Sequence, residues 1–144
     1  MSLPIQIVTP DRVVLQAEVD SVIVPASEGE LGILPHHAPL LAQLQPGQIR
    51  LRRADEIELF AVSGGFVQVE ANRVAIFAET AEMAHEIDVE RARQAAERAR
   101  AQMRVARTDF ELAQAEFALR RALARLHATD GVSRTRKPAS NRPS

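Results

Sequence analysis

The sequence predicts an α+β protein in two parts: an all-β domain of sandwich or barrel-like type, followed by an antiparallel hairpin of two helices. Three observations predict it. Before about residue 80, short β-branched stretches alternate between turn signals; glycine and proline punctuate that half almost exclusively; and from Asp88 onward the chain is built mainly from Ala, Arg, Glu, Gln and Leu. Period-two alternation of β-branched residues is the mark of a half-buried strand, and the later residues are mostly good helix formers.

The strand signals are Ile5/Ile7, Val22/Val24, Ile49/Leu51, Ile57/Leu59/Ala61, Val67/Val69 and Val74/Ile76/Ala78. Thr9-Pro10-Asp11, Pro25-Ala26-Ser27, Pro46-Gly47 and Ser63-Gly64-Gly65 break them, placing turns at the spacing of a sandwich or barrel. Asp88 is a candidate N-cap for the first helix, and Thr108 with Glu111 has the form of a capping box opening the second. On the first helix Ala92, Ala96, Ala99, Met103 and Ala106 fall on one seam, as do Leu112, Ala115, Leu119, Ala122 and Leu126 on the second. An alanine methyl hides little area at about 25 cal/mol per Å², so this hairpin is expected to be marginal and able to detach. Thr129-Asp130-Gly131 reads as a helix stop, and the basic, proline-containing stretch after it as a disordered tail. The expected units are residues 1–84, 85–130 and 131–144.

Composition narrows the function. In 144 residues there is no apolar run of membrane-spanning length and no basic segment leading into an apolar signal, so a soluble chain inside the cell is expected. Cysteine is absent, and His36, His37, His85 and His127 lack the spacing of a zinc site, which leaves no metal expected. A net charge of −1 conceals a gradient: five basic against eleven acidic residues in 1–84, nine against eight in 85–130, and four against none in 131–144. The purely basic segment is a short end and not a folded face, which argues against nucleic acid. No P-loop, no Ser/His/Asp set and no paired carboxylates are found, so no catalytic residues are expected and the chain is read as a non-enzyme.

The segment Ser27-Glu28-Gly29-Glu30-Leu31-Gly32-Ile33-Leu34-Pro35-His36-His37-Ala38-Pro39-Leu40-Leu41 resembles the signature of the epsilon subunit family of bacterial F-type ATP synthases, named delta in mitochondria. Ser63-Gly64-Gly65-Phe66-Val67-Gln68-Val69 is similar to the family's glycine-pair strand, and Ile87-Asp88-Val89-Glu90-Arg91-Ala92 to its Ile/Leu-Asp-x-x-Arg-Ala motif. The resemblance covers residues 3–128 and implies an N-terminal ten-stranded β-sandwich with a C-terminal helical hairpin. It also implies a non-catalytic central-stalk subunit, peripheral on the cytoplasmic face of the bacterial inner membrane, with the gamma subunit and the ring of c subunits as partners.

Residue by residue, the resemblance implies ring and gamma contacts at Glu30 and His37. It implies a regulatory ATP site at Glu82, Ile87, Asp88, Arg91, Ala92, Arg98, Arg121 and Arg125, in which ATP is bound and not hydrolysed. With ATP scarce, the hairpin would extend into the alpha/beta catalytic ring and inhibit hydrolysis through Arg120, Arg121 and Arg125. Arginines at these spacings are also what a solvated helix face paired with Glu90, Glu97 and Glu116 would show. A stand-alone ATP-sensing module and a structural helical adaptor are the alternatives. One departure from the family pattern is His36, which stands where a glycine is usual; either the turn keeps a positive φ at His36 or its path changes.

Overall fold

The computed structural model describes residues 2–140, with side chains described through Thr129. Ten strands precede two helices: β1 Leu3–Val8, β2 Val13–Val19, β3 Ser21–Ala26, β4 Gly29–Ile33, β5 Leu40–Leu44, β6 Gly47–Arg53, β7 Glu56–Val62, β8 Gly65–Glu70, β9 Arg73–Ala78, β10 Ala81–Met83, α1 Val89–Val105 and α2 Asp109–Ser140. Hydrogen bonding runs β10-β7-β6-β3-β5-β8-β9-β1-β2, with β4 on the other edge of β3. The path folds into two layers because β3 serves both. Its first half pairs with β6, from Ser21 opposite Arg52 to Ile23 opposite Arg50, while its last residue, Ala26, lies opposite Leu44 of β5.

Between the layers lies an apolar core that includes Leu3, Ile7, Val22, Val24, Ile33, Ile49, Phe60, Val67 and Ile76, all fully or almost fully buried. At the bend where β3 changes neighbours, a Cβ on Gly47 would lie 2.7 Å from the Pro25 Cβ, so only glycine fits against that ring. Gly65, at φ +135°, is held more tightly still, since an added Cβ would fall 2.0 Å from the Phe77 carbonyl oxygen. The turn carrying His36 keeps its left-handed form with φ 65°. There the His36 N–H donates to Asn72 Oδ1 at 2.7 Å, one hydrogen bond offsetting part of the strain.

β7 departs from the expected phase. Ile57, Leu59 and Ala61 were expected to form one inward stripe, but Phe60 and Val62 fill the sandwich core, Leu59 and Ala61 are buried on the opposite face, and Ile57 is exposed. That opposite face is covered by α2, which packs on β6, β7 and the 3-10 turn Ala84–Glu86. The contact forms a second, separate apolar cluster of Leu59, Ala61, Ala84, Ile87, Ala92 and Ala128, flanked by Leu126.

Both helix starts follow the sequence. Asp88 Oδ1 accepts from the Arg91 N–H at 3.1 Å, and Thr108 Oγ1 from the Glu111 N–H at 3.0 Å. Glu111 reaches back to the Arg107 N–H at 2.9 Å, one residue earlier than in the standard box. Ala106, Arg107 and Thr108 join the helices, which pack on each other with Ala92, Ala96, Ala99, Ala115 and Ala122 buried. Met103, Ala106, Leu112, Leu119 and Leu126 of the expected seams are half-buried. Ala124 and Ala128 form a second buried stripe on α2, consistent with a helix lying between α1 and the sandwich.

The helix stop expected at Thr129-Asp130-Gly131 is corrected: α2 continues through it to Ser140. A glycine inside a helix costs only about 1 kcal/mol, and the Thr129 hydroxyl donates within the helix to the Leu126 carbonyl at 2.7 Å instead of capping its end. Most of the stretch read as a disordered tail is therefore helical, and residues 141–144 lie outside the described residues.

Candidate functional site

The site begins at the Ser63-Gly64-Gly65 corner between β7 and β8. Both glycines have positive φ, which turns the chain sharply and brings the corner beside Glu79 and Thr80, between β9 and β10. Ser63, the buried polar residue of this region, has an Oγ that accepts from the Thr80 N–H at 3.1 Å and the Thr80 hydroxyl at 2.7 Å. The Glu79 N–H donates to the Gly64 carbonyl at 3.1 Å. These bonds make a rigid polar floor at the end of the sandwich facing the hairpin.

Over this floor lies a cavity of about 380 Å³. Ser63, Glu79 and Thr80 line it from the sandwich, Arg98 and Gln102 from α1, and Arg121 and Arg125 from α2, with alanines between them. Three guanidiniums from two helices thus share one space with two hydroxyl-bearing residues and a single lining carboxylate, Glu79. Close approach of like charges is unfavourable until an anion joins them, and guanidinium forks match phosphate and carboxylate geometry.

Two carboxylates stand near these arginines: Glu79 lines the cavity, and Glu82 lies beside Arg125. Glu82 Oε1 on β10 accepts from Arg125 Nε at 2.7 Å, and a second Arg125 nitrogen lies 2.6 Å from the same oxygen, tying α2 to the sandwich. Arg121 lies over the Phe117 ring, its guanidinium carbon 5.2 Å from the centroid.

The remaining residues of the expected ATP site are arranged differently. Ile87 and Ala92 are buried together in the second cluster, and Asp88 caps α1 through the backbone of Arg91. With Asp88 as N-cap, Ile87 and Ala92 occupy the two positions of a hydrophobic staple. The Ile-Asp-x-x-Arg-Ala motif therefore has a complete local role in starting α1. The Arg91 side chain is exposed and does not line the cavity; Arg120 is exposed as well. Ser63, Glu79, Thr80, Gln102 and Phe117 were not among the expected residues. Only Phe117, one turn before Arg121, carried a legible signal.

Elsewhere on the sandwich, Glu30 on β4 pairs with Arg50 on β6 across β3, both exposed. His37 Nδ1 hydrogen-bonds the Ala38 carbonyl at 2.8 Å, and the His37 backbone N–H donates to the Leu34 carbonyl at 3.2 Å. The outer face of β5 and β8–β9 carries Leu41, Gln43, Phe66, Gln68 and Phe77, with the charged pair of positions Glu70 and Arg73 at one end; Leu41 is 70%, Phe66 52% and Phe77 48% exposed.

A sandwich platform with a helical arm docked across a cationic cavity makes a two-part protein of the binding class. Two family models match: the ATP synthase delta/epsilon chain β-sandwich domain over residues 2–84, and the delta/epsilon long α-helix domain over 85–130. The ATP synthase epsilon chain of Moorella thermoacetica is 52% identical over 132 residues, 91% of this chain and 98% of that one. The epsilon chain of Halalkalibacterium halodurans is 52% identical over 96 residues, 67% of this chain and 72% of that one. Among solved structures, a chain from the Euglena gracilis mitochondrial ATP synthase, OSCP/F1/c-ring, matches with TM-score 0.78 and 28% identity, covering 88% of this chain and 81% of its own. A chain from the Tetrahymena thermophila mitochondrial ATP synthase central stalk and c-ring shares the fold at TM-score 0.62 and 19% identity, covering 90% and 97%.

The chain belongs to the ATP synthase delta/epsilon family. It is an epsilon-type chain, a structural and regulatory subunit and not a catalytic one.

Proposed function

We propose that this chain is the central-stalk epsilon subunit of a bacterial F-type synthase, at the cytoplasmic face of the membrane, and that its hairpin is a brake on ATP hydrolysis held closed by ATP. One observation carries the regulatory half: Arg98, Arg121 and Arg125, from both helices, line a cavity floored by Ser63 and Thr80 of the sandwich. A polyphosphate there binds both helices and the platform at once, so it favours the docked form over any form in which the helices have left. The shift it produces is limited to its differential affinity for the two forms. The separate, alanine-dominated cluster under the hairpin supports a docking contact that can open without disturbing the sandwich core.

The apolar Leu41/Phe66/Phe77 patch suits a lasting contact with the gamma subunit, and Glu30 and His37 suit the ring of c subunits. For Glu30 the exchange is concrete: its carboxylate trades or shares Arg50 with a basic loop of the ring. In the extended form, Arg120, Arg121 and Arg125 are free to meet acidic segments of the alpha/beta ring.

Calorimetry with Mg-ATP tests the site. Arg125→Ala abolishes binding while the sandwich stays folded, Arg98→Ala weakens it, and removal of residues 88–144 relieves inhibition in the reconstituted synthase. Undiminished binding in both variants overturns the site, and undiminished inhibition by the truncated subunit overturns the brake.

A further inference from the structure

The geometry points to Phe117 as a positioning residue of the cationic cavity: its ring holds the Arg121 guanidinium in place for an anion and seats that part of α2 on the Gly64 corner of the sandwich. Phe117 and Arg121 are one turn apart on α2, the spacing at which side chains on one helix face meet. The guanidinium carbon lies 5.2 Å from the ring centroid, within the range of a cation–π contact. The tip of the same ring reaches the corner, where its Cζ is 3.9 Å from the position a Cβ on Gly64 would occupy. Gly64 has no side chain and sits at φ +127°, so the corner presents backbone to the ring's tip.

The arrangement explains a side chain that burial alone does not. Phe117 is 38% exposed, and the apolar seam of α2 is carried by Ala115, Leu119 and Ala122 instead. A leucine at 117 would supply comparable apolar contact with the corner, whereas only an aromatic face attracts the guanidinium. Arg125 is oriented by Glu82, and Arg121 has the Phe117 ring for the same purpose. A free arginine loses rotamer entropy when it binds; one already stacked loses less, which tightens binding without a new ligand contact.

This inference rests on the anion-binding reading of the cavity, and the experiment separates the two. Wild type, Phe117→Leu and Phe117→Tyr, each as the full chain, are titrated with Mg-ATP and with inorganic triphosphate. Wild type binds both; Phe117→Leu binds both about two- to fivefold more weakly; Phe117→Tyr restores wild-type affinity. The distance between α2 and the sandwich, read by paired fluorophores without ligand, stays the same in all three. Equal affinity of the leucine variant and wild type overturns the role of the ring, as does failure of tyrosine to rescue. Loss of affinity with an altered distance assigns Phe117 to docking alone and also overturns it. Absence of any binding by wild type overturns the cavity reading, and this proposal with it.

Discussion

Ala128→Leu offers a sharp test of whether the hairpin is a detachable part. Ala128 is fully buried among Leu59, Ala61, Ala84, Ile87 and Ala92, and touches none of the core between the layers. Alanine and leucine differ little in helix propensity, so α2 itself is not weakened. Three added carbons in a filled contact cost about 1–3 kcal/mol, borne entirely by docking. The undocked fraction rises roughly 5- to 150-fold. Hydrogen exchange followed by mass spectrometry reads this directly, because an alanine-lined helix pair is marginal alone and its docked amides exchange through undocking. Peptides of α1 and α2 lose protection by that factor, while those of β3, β6 and β9, whose Val24, Ile49 and Ile76 belong to the other cluster, keep theirs. Equal loss in helices and strands would show that the two clusters open together, and the detachable arm would be refuted.

Two further substitutions probe the platform. Gly65→Ala places a methyl 2.0 Å from the Phe77 carbonyl at φ +135° and destabilises the sandwich by about 2–4 kcal/mol, seen as a lower urea midpoint; an unchanged midpoint contradicts the close approach of β8 and β9. His36→Gly relieves roughly 1 kcal/mol of left-handed strain and gives back about 0.5 through a freer unfolded chain, for a gain of about 0.5 kcal/mol in the same assay, and a loss there would mean that the His36 ring contributes contacts of its own.

Much of this architecture is legible in the residues. Asp88 and Thr108 bond as their positions foretell, because a cap is a local device that sequence spacing fully specifies. β7 was legible as a strand but not in its orientation: apolar residues occupy both faces, and alternation alone cannot say which face meets the core and which a helix added sixty residues later. The convergence of Arg98, Arg121 and Arg125 was foreseeable from helix periodicity plus resemblance. The floor beneath them was not, since Ser63 and Thr80 are seventeen residues apart and meet only through the folding of the sheet. Arg91 shows the opposite case, where a motif position is filled but its side chain is exposed outside the cavity while its backbone serves the Asp88 cap.

The strip formed by Leu59 and Ala61 carries a consequence for the isolated subunit. Any excursion of the arm strips this stretch of β7 of its lid and wets the apolar flanks of Ile87 and Ala92 in the same motion. A solitary copy in water thus has every reason to stay furled, and an unfurled one is greasy enough to seek another surface. Opening is therefore something the surrounding machine must reward, by offering the liberated helices a new wall to lean on.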